Sequence, residues 1–279
     1  METANTQTVR DVQDKILYVM KFIDKVCRDN NIVYYIMGGT ALGAVRHGGF
    51  IPWDDDLDIF MTPENYNKFT KVFNSLNSQE FVLQEWKTTE NYLEYAKVRL
   101  NGTTFIEECY KDRKDMHHGI YVDIMILHKC PENKFIQKLL YYKCKYVTLY
   151  ALSQRNWKPK TKFQAFALKA LKILPNKWLV KNCYKHIYKY DDKNLDNYKW
   201  FYWITPAGFK AGLFGKEFFD SYGEIKFEDT MLLCPNKIDE YLKYRYGDYM
   251  KLPPIEKQKS AVHAMYFDTQ KDYTEFFKQ

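Results

Sequence analysis

Residues 35–61 constrain the fold of this 279-residue chain more than any other segment, because two apolar strand candidates flank a glycine-rich connection. A short helix is predicted at residues 41–46, directly after a glycine pair that ends the first strand. The second strand follows a run of acidic residues. Asp56 and Asp58 in that run are two positions apart, so they project from the same face of an extended chain. Strand, helix and acidic strand in this order predict an α/β fold.

The polar residues of this segment predict phosphate and metal chemistry. Two carboxylates side by side repel each other unless a cation lies between them, and oxygen ligands suit Mg²⁺ that also bridges to phosphate. Gly38 and Gly39 let the backbone approach a ligand, and the N–H groups that open the next helix, near Thr40, face an anion. The alternative is a solvated acidic loop or a calcium site. Leu57 and Ile59 favour a strand, and the spacing of an EF-hand is absent.

A third carboxylate, Asp123, lies within another apolar strand predicted at residues 119–127. Two carboxylates on one strand and a third on a neighbouring strand resemble the metal site of nucleotidyltransferase-fold enzymes. For Asp123 alone, the alternative is a core carboxylate whose hydrogen bonds are satisfied.

Several further elements are predicted from local signals. Thr62 and Pro63 are typical of the start of a helix, which should extend to about residue 76. Asn101 and Gly102 predict a hairpin turn between strands at residues 95–100 and 103–107.

Charge divides the chain unevenly. Residues 129–200 carry 17 Lys plus Arg against 4 Asp plus Glu, which is +13, so the remainder of this +7 chain carries −6. The acidic part contains the carboxylates, and the basic part favours an anionic partner. We therefore predict a catalytic core at residues 1–130, a basic helical lobe at 131–200, and a segment at 201–279 that completes the core and pocket.

The segment at residues 39–59 reads Gly-Thr-Ala-Leu-Gly-Ala-Val-Arg-His-Gly-Gly-Phe-Ile-Pro-Trp-Asp-Asp-Asp-Leu-Asp-Ile. It resembles the signature of the LicD family, phosphocholine transferases of bacterial surface glycans to which fukutin and fukutin-related protein are more distantly related. Weaker similarity lies at residues 96–100, 104–107, 118–124, 227–229, 241–248 and 253–254. One departure follows the third carboxylate. The family has a Phe-Pro-Leu-Asp type segment there, and this chain has Met-Ile-Leu-His at residues 125–128.

The resemblance implies a nucleotidyltransferase-type mixed β-sheet flanked by helices, with an added helical lobe. It also implies transfer of a phospho-alcohol, most typically phosphocholine from CDP-choline, to a hydroxyl of a cell-surface glycan or its lipid-linked precursor, with release of CMP. Asp56, Asp58 and Asp123 would hold Mg²⁺ or Mn²⁺, and Asp123 or a carboxylate beside the metals would accept the acceptor's proton. Further candidate phosphate partners, each of which could instead be an ordinary surface cation, are Arg46, Lys97 and Arg99.

Two other functions are compatible with parts of the sequence. A nucleotidyltransferase that adds NMP to a small molecule or protein would keep the fold and change the product. A nucleic-acid-binding module could use the basic lobe, but no nucleic-acid motif is present, so no nucleic-acid partner is expected. The six cysteines are scattered, and neither a signal peptide nor a membrane-spanning run is evident, so a cytoplasmic location is expected.

Four weaker patterns each allow more than one interpretation. Residues 161–174 predict a helix with an apolar side and a lysine side, suited either to the inner face of an anionic membrane or to packing on the sheet. The aromatic run at residues 198–203 suits either a choline cage or the core. His263 could close over a nucleotide or lie in a surface tail. Zinc is conceivable, with no standard spacing, at Cys109, His117, His118, His128 and Cys130.

Overall fold

The computed structural model has a mixed α/β architecture, as the sequence predicts. It describes residues 7–86, 94–154, 159, 161–173, 177–204, 208–259 and 262–278, without the side chains of residues 257 and 259. The helices of the described chain are α1 Val9–Asp29, α2 Gly38–His47, α3 Pro63–Leu76, α4 Lys134–Ser153, α5 Lys162–Ile173, α6 Lys177–Ile187, α7 Ile238–Tyr246, α8 Ile255–Lys259 and α9 Tyr273–Phe276. The strands are β1 Tyr35–Ile36, β2 Asp58–Met61, β3 Phe81–Gln84, β4 Tyr95–Leu100, β5 Thr104–Glu107, β6 Tyr121–Ile126, β7 His128–Pro131, β8 Tyr198–Phe201, β9 Leu213–Phe214, β10 Tyr222–Phe227, β11 Thr230–Pro235 and β12 Ala264–Asp268.

The chain divides into two compact units. The first, called the core unit here, contains Met1–Glu85, Tyr95–Met125 and Glu217–Gln279; the second, called the lobe unit, contains Trp86–Glu94 and Ile126–Lys216. The two boundaries of the three predicted segments, at residues 130 and 200, stay predictions.

A five-stranded sheet forms the centre of the core unit, with strand order β1-β2-β6-β4-β3. Strands β1 and β2, β3 and β4, and β4 and β6 pair in antiparallel fashion. This order confirms that Asp123, in β6, lies on the strand next to the one that Asp58 opens. Asp56 precedes β2 instead of lying within it.

Helix α1 is amphipathic and buries its apolar side in the core unit. A reciprocal capping box between Thr8 and Asp11 satisfies backbone N–H groups at its first turn. Its buried apolar side chains are Val12, Ile16, Leu17, Val19, Met20, Ile23, Val26 and Cys27. Helix α3 begins as predicted, because Thr62 caps it by accepting the N–H of Asn65 and Pro63 is its first residue.

Helix α2 is longer than its predicted range of residues 41–46 and begins at the glycine pair itself. Gly38 has a φ of +53°, which a residue with a side chain rarely adopts. The sequence pattern does not predict the first turn of α2, because glycine is a poor helix former. Glycine is required there because neighbouring side chains approach the backbone closely.

The predicted hairpin between β4 and β5 is wrong. Strand β5 pairs with β12 in a two-stranded sheet, while β4 pairs with β3 and β6. Gly102 has the turn conformation, with a φ of +70°, but Thr103 then bonds back to Leu100 and Ile120 and directs the chain out of the sheet. A local turn signal cannot distinguish a hairpin from a crossover when a distant strand competes for the same edge.

The sequence also predicts one or two short strands at residues 225–233 and a helix at residues 238–246 that ends before Gly247, and the C-terminal elements of the core unit agree. Strands β10 and β11 form an antiparallel hairpin, and α7 ends at Gly247, whose φ is +69°. Glu228 lies at the turn of this hairpin and accepts two hydrogen bonds from Arg10 at 3.0 Å each, and one from the Phe50 N–H at 3.0 Å. Glu228 thus ties the loop after α2 to α1.

The lobe unit contains a three-stranded sheet of order β7-β8-β9 together with helices α4, α5 and α6. Its centre holds a buried ionic cluster. Nε2 of His128 lies 2.7 Å from Glu94 Oε2, and Nδ1 lies 2.9 Å from Asp191 Oδ2. The sequence also predicts that the helical pattern of this region is broken at residues 157–161 and 175–176, which lie largely outside the described residues.

Candidate active site

The acidic segment, residues 54–58, presents three carboxylates on one side of an extended chain. Asp54, Asp56 and Asp58 are each half-buried, whereas the two residues between them are buried. This alternation is the period of an extended strand, although β2 is assigned only from Asp58. The predicted shared face of Asp56 and Asp58 therefore also includes Asp54, which the sequence analysis did not select.

The three carboxylates destabilise one another's charged forms. Burial and the neighbouring Asp56 raise the pKa of Asp54 to about 8. Burial, followed by Asp56 and Asp123, raises the pKa of Asp58 well above its usual value. Burial also raises the pKa of Asp56, against the opposing effect of His263. Buried carboxylates with raised pKa values are the expected state of a site that is completed by a cation.

Asp123 is held by the one lysine that lies opposite it in the sheet. Lys97 is its register partner between β4 and β6, and the Lys97 Nζ lies 2.9 Å from Oδ1 and 3.1 Å from Oδ2 of Asp123. The same ammonium group lies 3.3 Å from the centroid of the Tyr121 ring and 3.7 Å from Glu107 Oε2. Burial alone would lower the pKa of Lys97, and the carboxylates of Asp123 and Glu107 reverse this and raise it. Burial raises the pKa of Asp123 to about 6, with Lys97 opposing.

The donor set suits a hard divalent cation. Although Asp123 Oδ1 is close to Lys97, it is buried and has no partner in hydrogen-bond geometry, which leaves an oxygen able to accept a further ligand. Asp123 and Asp56 both raise the pKa of Asp58, so the three carboxylates lie within electrostatic reach of one another. All three offer only oxygen atoms, the ligands that Mg²⁺ and Mn²⁺ accept. The predicted set of Asp56, Asp58 and Asp123 therefore fits a metal, and its assignment stays a prediction.

Asp55 points to the opposite side of the acidic segment and has a different role. Its carboxylate accepts the backbone N–H groups of His263 and Ala264 at 2.9 Å and contacts His263 Nδ1 at 3.0 Å. That hydrogen bond, with the charges of Asp56 and Asp55, raises the pKa of His263 to about 9. Asp55 thus anchors the start of β12 beside the acidic segment and keeps a cationic imidazole there.

Asp54, Asp55 and His263 also meet a geometric criterion for a metal site, since one ligand atom from each lies within 4.8 Å of the others. The hydrogen bonds already accepted by Asp55 argue against its use as a ligand. His263 was predicted either to close over a nucleotide or to lie in a surface tail; its imidazole is 3.4 Å from Asp56 Oδ2, at the site.

The first turn of α2 lies against the acidic segment. A Cβ on Gly39 would lie 2.8 Å from Asp54 Oδ2, and one on Gly38 would lie 3.9 Å from Asp58 Oδ2. Thr40 Oγ1 accepts the N–H of Asp58 at 2.9 Å, which fixes the start of β2 to the helix. The positive end of the helix dipole therefore lies beside the carboxylates, where an anion bridged by a cation would be bound. Phosphate binding by Gly38, Gly39 and Thr40 stays a prediction.

The two predicted arginine partners have structural contacts. Arg99 is 1% exposed, and its guanidinium donates to Gln84 Oε1 and, at 2.8 Å, to the carbonyl of Gly119. Arg46 lies in the last turn of α2, and its Nη1 donates to the carbonyl of Tyr249 at 2.9 Å. Their contact with phosphate, and that of Lys97, stays a prediction.

The remaining candidates do not gather into a site. His117 bonds to Asn101 at 2.7 Å, and His118 bonds to the carbonyl of Arg113 at 2.7 Å. His128 is enclosed by carboxylates, so the described residues of the Cys and His window form no metal cluster. Most of the aromatic run at residues 198–203 is buried in the lobe unit, which agrees with the core-packing alternative.

The sheet order, the acidic segment and the neighbouring Asp123 define a nucleotidyltransferase-type α/β protein. Comparison with known proteins agrees, because residues 31–140 match the domain described as LicD/FKTN/FKRP, nucleotidyltransferase domain. Over residues 31–140, the chain is therefore similar to the LicD family.

Two relatives show how far the similarity extends. The chain is 29% identical over 256 residues to the lipopolysaccharide cholinephosphotransferase LicD of Haemophilus influenzae, an alignment that covers 90% of this chain and 95% of that protein. It is 32% identical over 128 residues to an uncharacterized protein of Rickettsia prowazekii, covering 46% of this chain and 44% of that protein.

Among the helices that the structure describes, none combines the length and the hydropathy that a membrane span requires.

Proposed function

We propose that this protein is a metal-dependent transferase that moves phosphocholine from CDP-choline to a hydroxyl of a cell-surface glycan or its lipid-linked precursor. The acceptor oxygen forms a bond to the phosphorus that carries choline, and the bond from that phosphorus to the bridging oxygen breaks. CMP leaves with the bridging oxygen, and the hydroxyl proton passes to a carboxylate of the site and then to solvent.

One observation carries the proposal: the half-buried carboxylates of the acidic segment lie against the first turn of α2. Burial and neighbouring carboxylates, among them Asp55 in the case of Asp56, raise the pKa values of Asp54, Asp56 and Asp58. A donor diphosphate with divalent cations would supply positive charge to the carboxylates and negative charge to the helix terminus. The relative from Haemophilus influenzae, named as a lipopolysaccharide cholinephosphotransferase, supports the same reaction class.

We assign Asp56, Asp58 and Asp123 as the residues that hold the metal. When bound, Mg²⁺ or Mn²⁺ would neutralise the diphosphate and the charge that develops on the leaving phosphate. Lys97 favours the ionised form of Asp123 and orients it, through a hydrogen bond of 3.1 Å to Oδ2 and an ion-pair contact of 2.9 Å to Oδ1. Asp123 or another carboxylate of the site accepts the proton.

The phosphate partners divide by their position. Gly38, Gly39 and Thr40 lie at the end of α2 next to the acidic segment, where a diphosphate would be bound. Arg46 lies at the other end, roughly 12 Å along the helix axis at 1.5 Å per residue, so it suits a different part of the donor or acceptor. Arg99 would act indirectly, because it packs on the Tyr121 ring at 4.8 Å, and the same ring is contacted by Lys97 at 3.3 Å.

Product analysis tests the reaction without a known glycan, because water can replace the acceptor in a slow reaction. Purified protein with Mg²⁺ and CDP-choline should release CMP and phosphocholine, and Asp56→Asn should not. The exposed Asp220→Asn is the matched control and should keep the wild-type rate. Release of neither product under any divalent cation, by a protein that binds CDP-choline, would contradict the proposal.

A thermal-shift series identifies the alcohol. CDP-choline, CDP-ethanolamine, CDP-glycerol and CDP-ribitol, each with Mg²⁺, should raise the apparent melting temperature in proportion to their occupancy. We expect CDP-choline to give the largest shift. A larger shift with CDP-ribitol or CDP-glycerol would keep the chemistry and change the substrate.

The second candidate is a nucleotidyltransferase that adds NMP to a small molecule or protein. The domain description that matches residues 31–140 favours keeping it. Its signature is pyrophosphate released from a nucleoside triphosphate, together with an adduct that retains the nucleotide.

The proposed location is the cytoplasmic side of the membrane, where a lipid-linked acceptor would be reached by peripheral contact. No nucleic-acid partner is proposed.

A further inference from the structure

The helices of the lobe unit present large apolar side chains to solvent. On α5, Phe163, Phe166 and Ile173 are 79%, 72% and 73% exposed, and Trp178 at the start of α6 is 75% exposed. We call these four the anchor residues. Exposed apolar groups of this size mark interaction surfaces, because leaving them in water forgoes roughly 1.5–3 kcal/mol for each side chain.

Helix α5 is amphipathic, and its exposed side carries the larger aromatic groups. Phe163, Phe166 and Ile173 lie at spacings of three and seven, on one arc of the helix. Leu168, on another arc, is its buried residue. One interpretation of the sequence is that the apolar side of residues 161–174 packs inward. In the described part of that segment, Phe163 and Phe166 are exposed to solvent instead. Leu174 lies outside the described residues.

Helix α4 repeats the arrangement. Phe135, Leu139 and Tyr142 lie at spacings of four and three and are 77%, 44% and 56% exposed. Lys138 precedes one of these residues and Lys143 follows another, so lysines border the apolar stripe on both sides.

The charge of these helices is of one sign. Helices α4, α5 and α6 contain four, three and three lysines, and none of the three contains an aspartate or glutamate. Lys162, Lys169 and Lys172 of α5 are all exposed. A nucleic acid or a soluble acidic glycan would be attracted by the lysines but would not require exposed phenylalanine and isoleucine side chains. An anionic lipid surface satisfies both, since its headgroups pair with lysine and its acyl boundary takes the apolar groups.

We propose that helices α4–α6 of the lobe unit bind the surface of an anionic phospholipid bilayer, with the anchor residues inserted at the boundary between headgroups and acyl chains. The proposal is independent of the reaction proposed above, because it rests only on the surface of the lobe unit. A catalytically inactive Asp56→Asn protein should bind the bilayer like the wild type.

Vesicle co-sedimentation measures the binding. Vesicles of phosphatidylglycerol with phosphatidylcholine should retain the protein at about 0.1 M salt, and vesicles of phosphatidylcholine alone should retain much less. Raising the salt to about 0.5 M should weaken binding, because the lysine term is screened. Failure of the wild type to bind the anionic vesicles at low salt would overturn the proposal.

Two variants separate the lysine and apolar contributions. Changing Lys162, Lys169 and Lys172 together to Gln should lower the partition coefficient by more than about tenfold, since one basic residue near such a surface contributes about fivefold. Changing Phe163 and Phe166 to Ser should lower it at low salt and also remove the binding that persists at high salt.

Matched controls come from the core unit. The exposed lysines Lys71, Lys226 and Lys251 changed to Gln remove the same charge, and Met250 and Leu252, which are 56% and 54% exposed, changed to Ser remove comparable apolar area. Both controls should bind nearly as the wild type does. All these sites are exposed, so the melting temperatures of the variants should be almost unchanged. A loss of vesicle binding can then not be attributed to unfolding.

Trp178 provides a direct measure of insertion. Lipids brominated in the acyl chains should quench part of the tryptophan fluorescence, and the quenched part should be absent in Trp178→Phe. If the lysine variant loses vesicle binding while the phenylalanine variant and Trp178→Phe do not change it, and RNA or heparin binds as tightly as vesicles, the surface binds soluble polyanions and the membrane proposal is wrong.

Discussion

The core unit and the lobe unit each bury a group of carboxylates, and they differ in how the negative charge is compensated. In the lobe unit, Glu94 and Asp191 share the ring of His128 at 2.7 and 2.9 Å. In the acidic segment of the core unit, Asp54, Asp56 and Asp58 crowd together with raised pKa values. In the lobe cluster one imidazolium lies between two carboxylates, although Glu94 Oε1 is buried without a hydrogen-bond partner. Beside the acidic segment, His263 contacts Asp55 and Asp56, and the pKa values of Asp54 and Asp56 are raised in spite of it.

The protonation of His128 explains the stability of the lobe cluster. Both ring nitrogens lie against carboxylate oxygens, so both must donate and the ring must be an imidazolium. Burial alone would lower its pKa, and Glu94 and Asp191 raise it to about 10. Asp191 also accepts the Lys129 N–H at 2.9 Å, and the Trp203 indole donates to Glu94 at 3.1 Å. A buried cluster whose charges are balanced by its own residues is structural, whereas one with excess negative charge indicates a binding site.

The largest expected effect of changing a carboxylate of the acidic segment is on turnover. Asp56→Asn or Asp58→Asn should reduce CMP release by at least about a thousandfold, because a metal ligand acts in the transition state. The same variants should keep or raise the melting temperature in the absence of metal, because each removes one of the mutually repelling carboxylates. Near-normal turnover in either variant with saturating Mg²⁺ would remove these residues from the metal site.

The converse change in the lobe cluster should affect stability instead. His128→Gln leaves Glu94 and Asp191 buried without their cation and should cost about 3–5 kcal/mol of unfolding free energy. Turnover per folded molecule should be retained. Denaturant unfolding measures the first quantity and CMP release at low temperature the second. A stable His128→Gln protein would show that the cluster is not a structural ion group.

The pH dependence of stability tests the charge on His128. Its folded-state pKa of about 10 lies above the unfolded value of about 6.5. Its contribution is therefore fully present below about pH 6.5 and is lost as the pH rises through about 10. The melting temperature of the wild type should fall over this window by more than that of His128→Gln. Parallel curves for the two proteins would indicate a neutral ring.

Asp123 combines features of the lobe cluster and of the acidic segment. Lys97 balances its charge, and one of its oxygens still lacks a hydrogen bond. Asp123→Asn should lower kcat far more than it weakens donor binding, and should also destabilise the protein because Lys97 keeps only Glu107, at 3.7 Å.

The double variant Asp123→Asn with Lys97→Met separates these two roles. Removing both charges should restore stability by about 1–3 kcal/mol relative to Asp123→Asn alone, and turnover should stay low. Recovery of turnover together with stability would mean that Asp123 is a core carboxylate.

The smallest expected effect concerns Glu228, which binds Arg10 and the Phe50 N–H. Glu228→Gln should cost about 0.5–1 kcal/mol, because Arg10 is 52% exposed and water screens the pair. The hydrogen bond from Arg10 lowers the pKa of Glu228, so its contribution is present above about pH 4.5 and is lost as the pH falls further. Urea unfolding at pH 7 and pH 3 should show a difference between wild type and variant only at pH 7.

Residues whose signals are local were predictable from the sequence. The period-two spacing of Asp56 and Asp58, the start of α3 at Pro63 and the end of α7 before Gly247 all follow from neighbouring residues. Asp54 obeys the same spacing, two positions before Asp56, and could have been included on that ground. The family resemblance added the placement of Asp123 next to β2, which the sheet order confirms.

Partners that are distant in sequence required the tertiary structure. Asp55 and Asp56 are adjacent and chemically identical. Asp55 nevertheless anchors His263 and Ala264, which follow it by 208 and 209 positions in the chain, and Asp56 faces the site. Lys97 was selected as a phosphate partner from its charge, and only the register of β4 against β6 shows that it holds Asp123. The sequence offers His128 as a zinc candidate, and only the tertiary structure shows that Glu94 and Asp191 contact its two ring nitrogens.

The sequence by itself determined the α/β class, the glycine pair and the acidic face, because each depends on the geometry of a few consecutive residues. Tertiary structure decided which carboxylates are balanced, where β5 pairs and which side of α5 faces solvent. These outcomes depend on segments that are far apart in the chain and compete for the same cations, strand edges and buried surface. A local sequence pattern does not show which of the competing contacts forms.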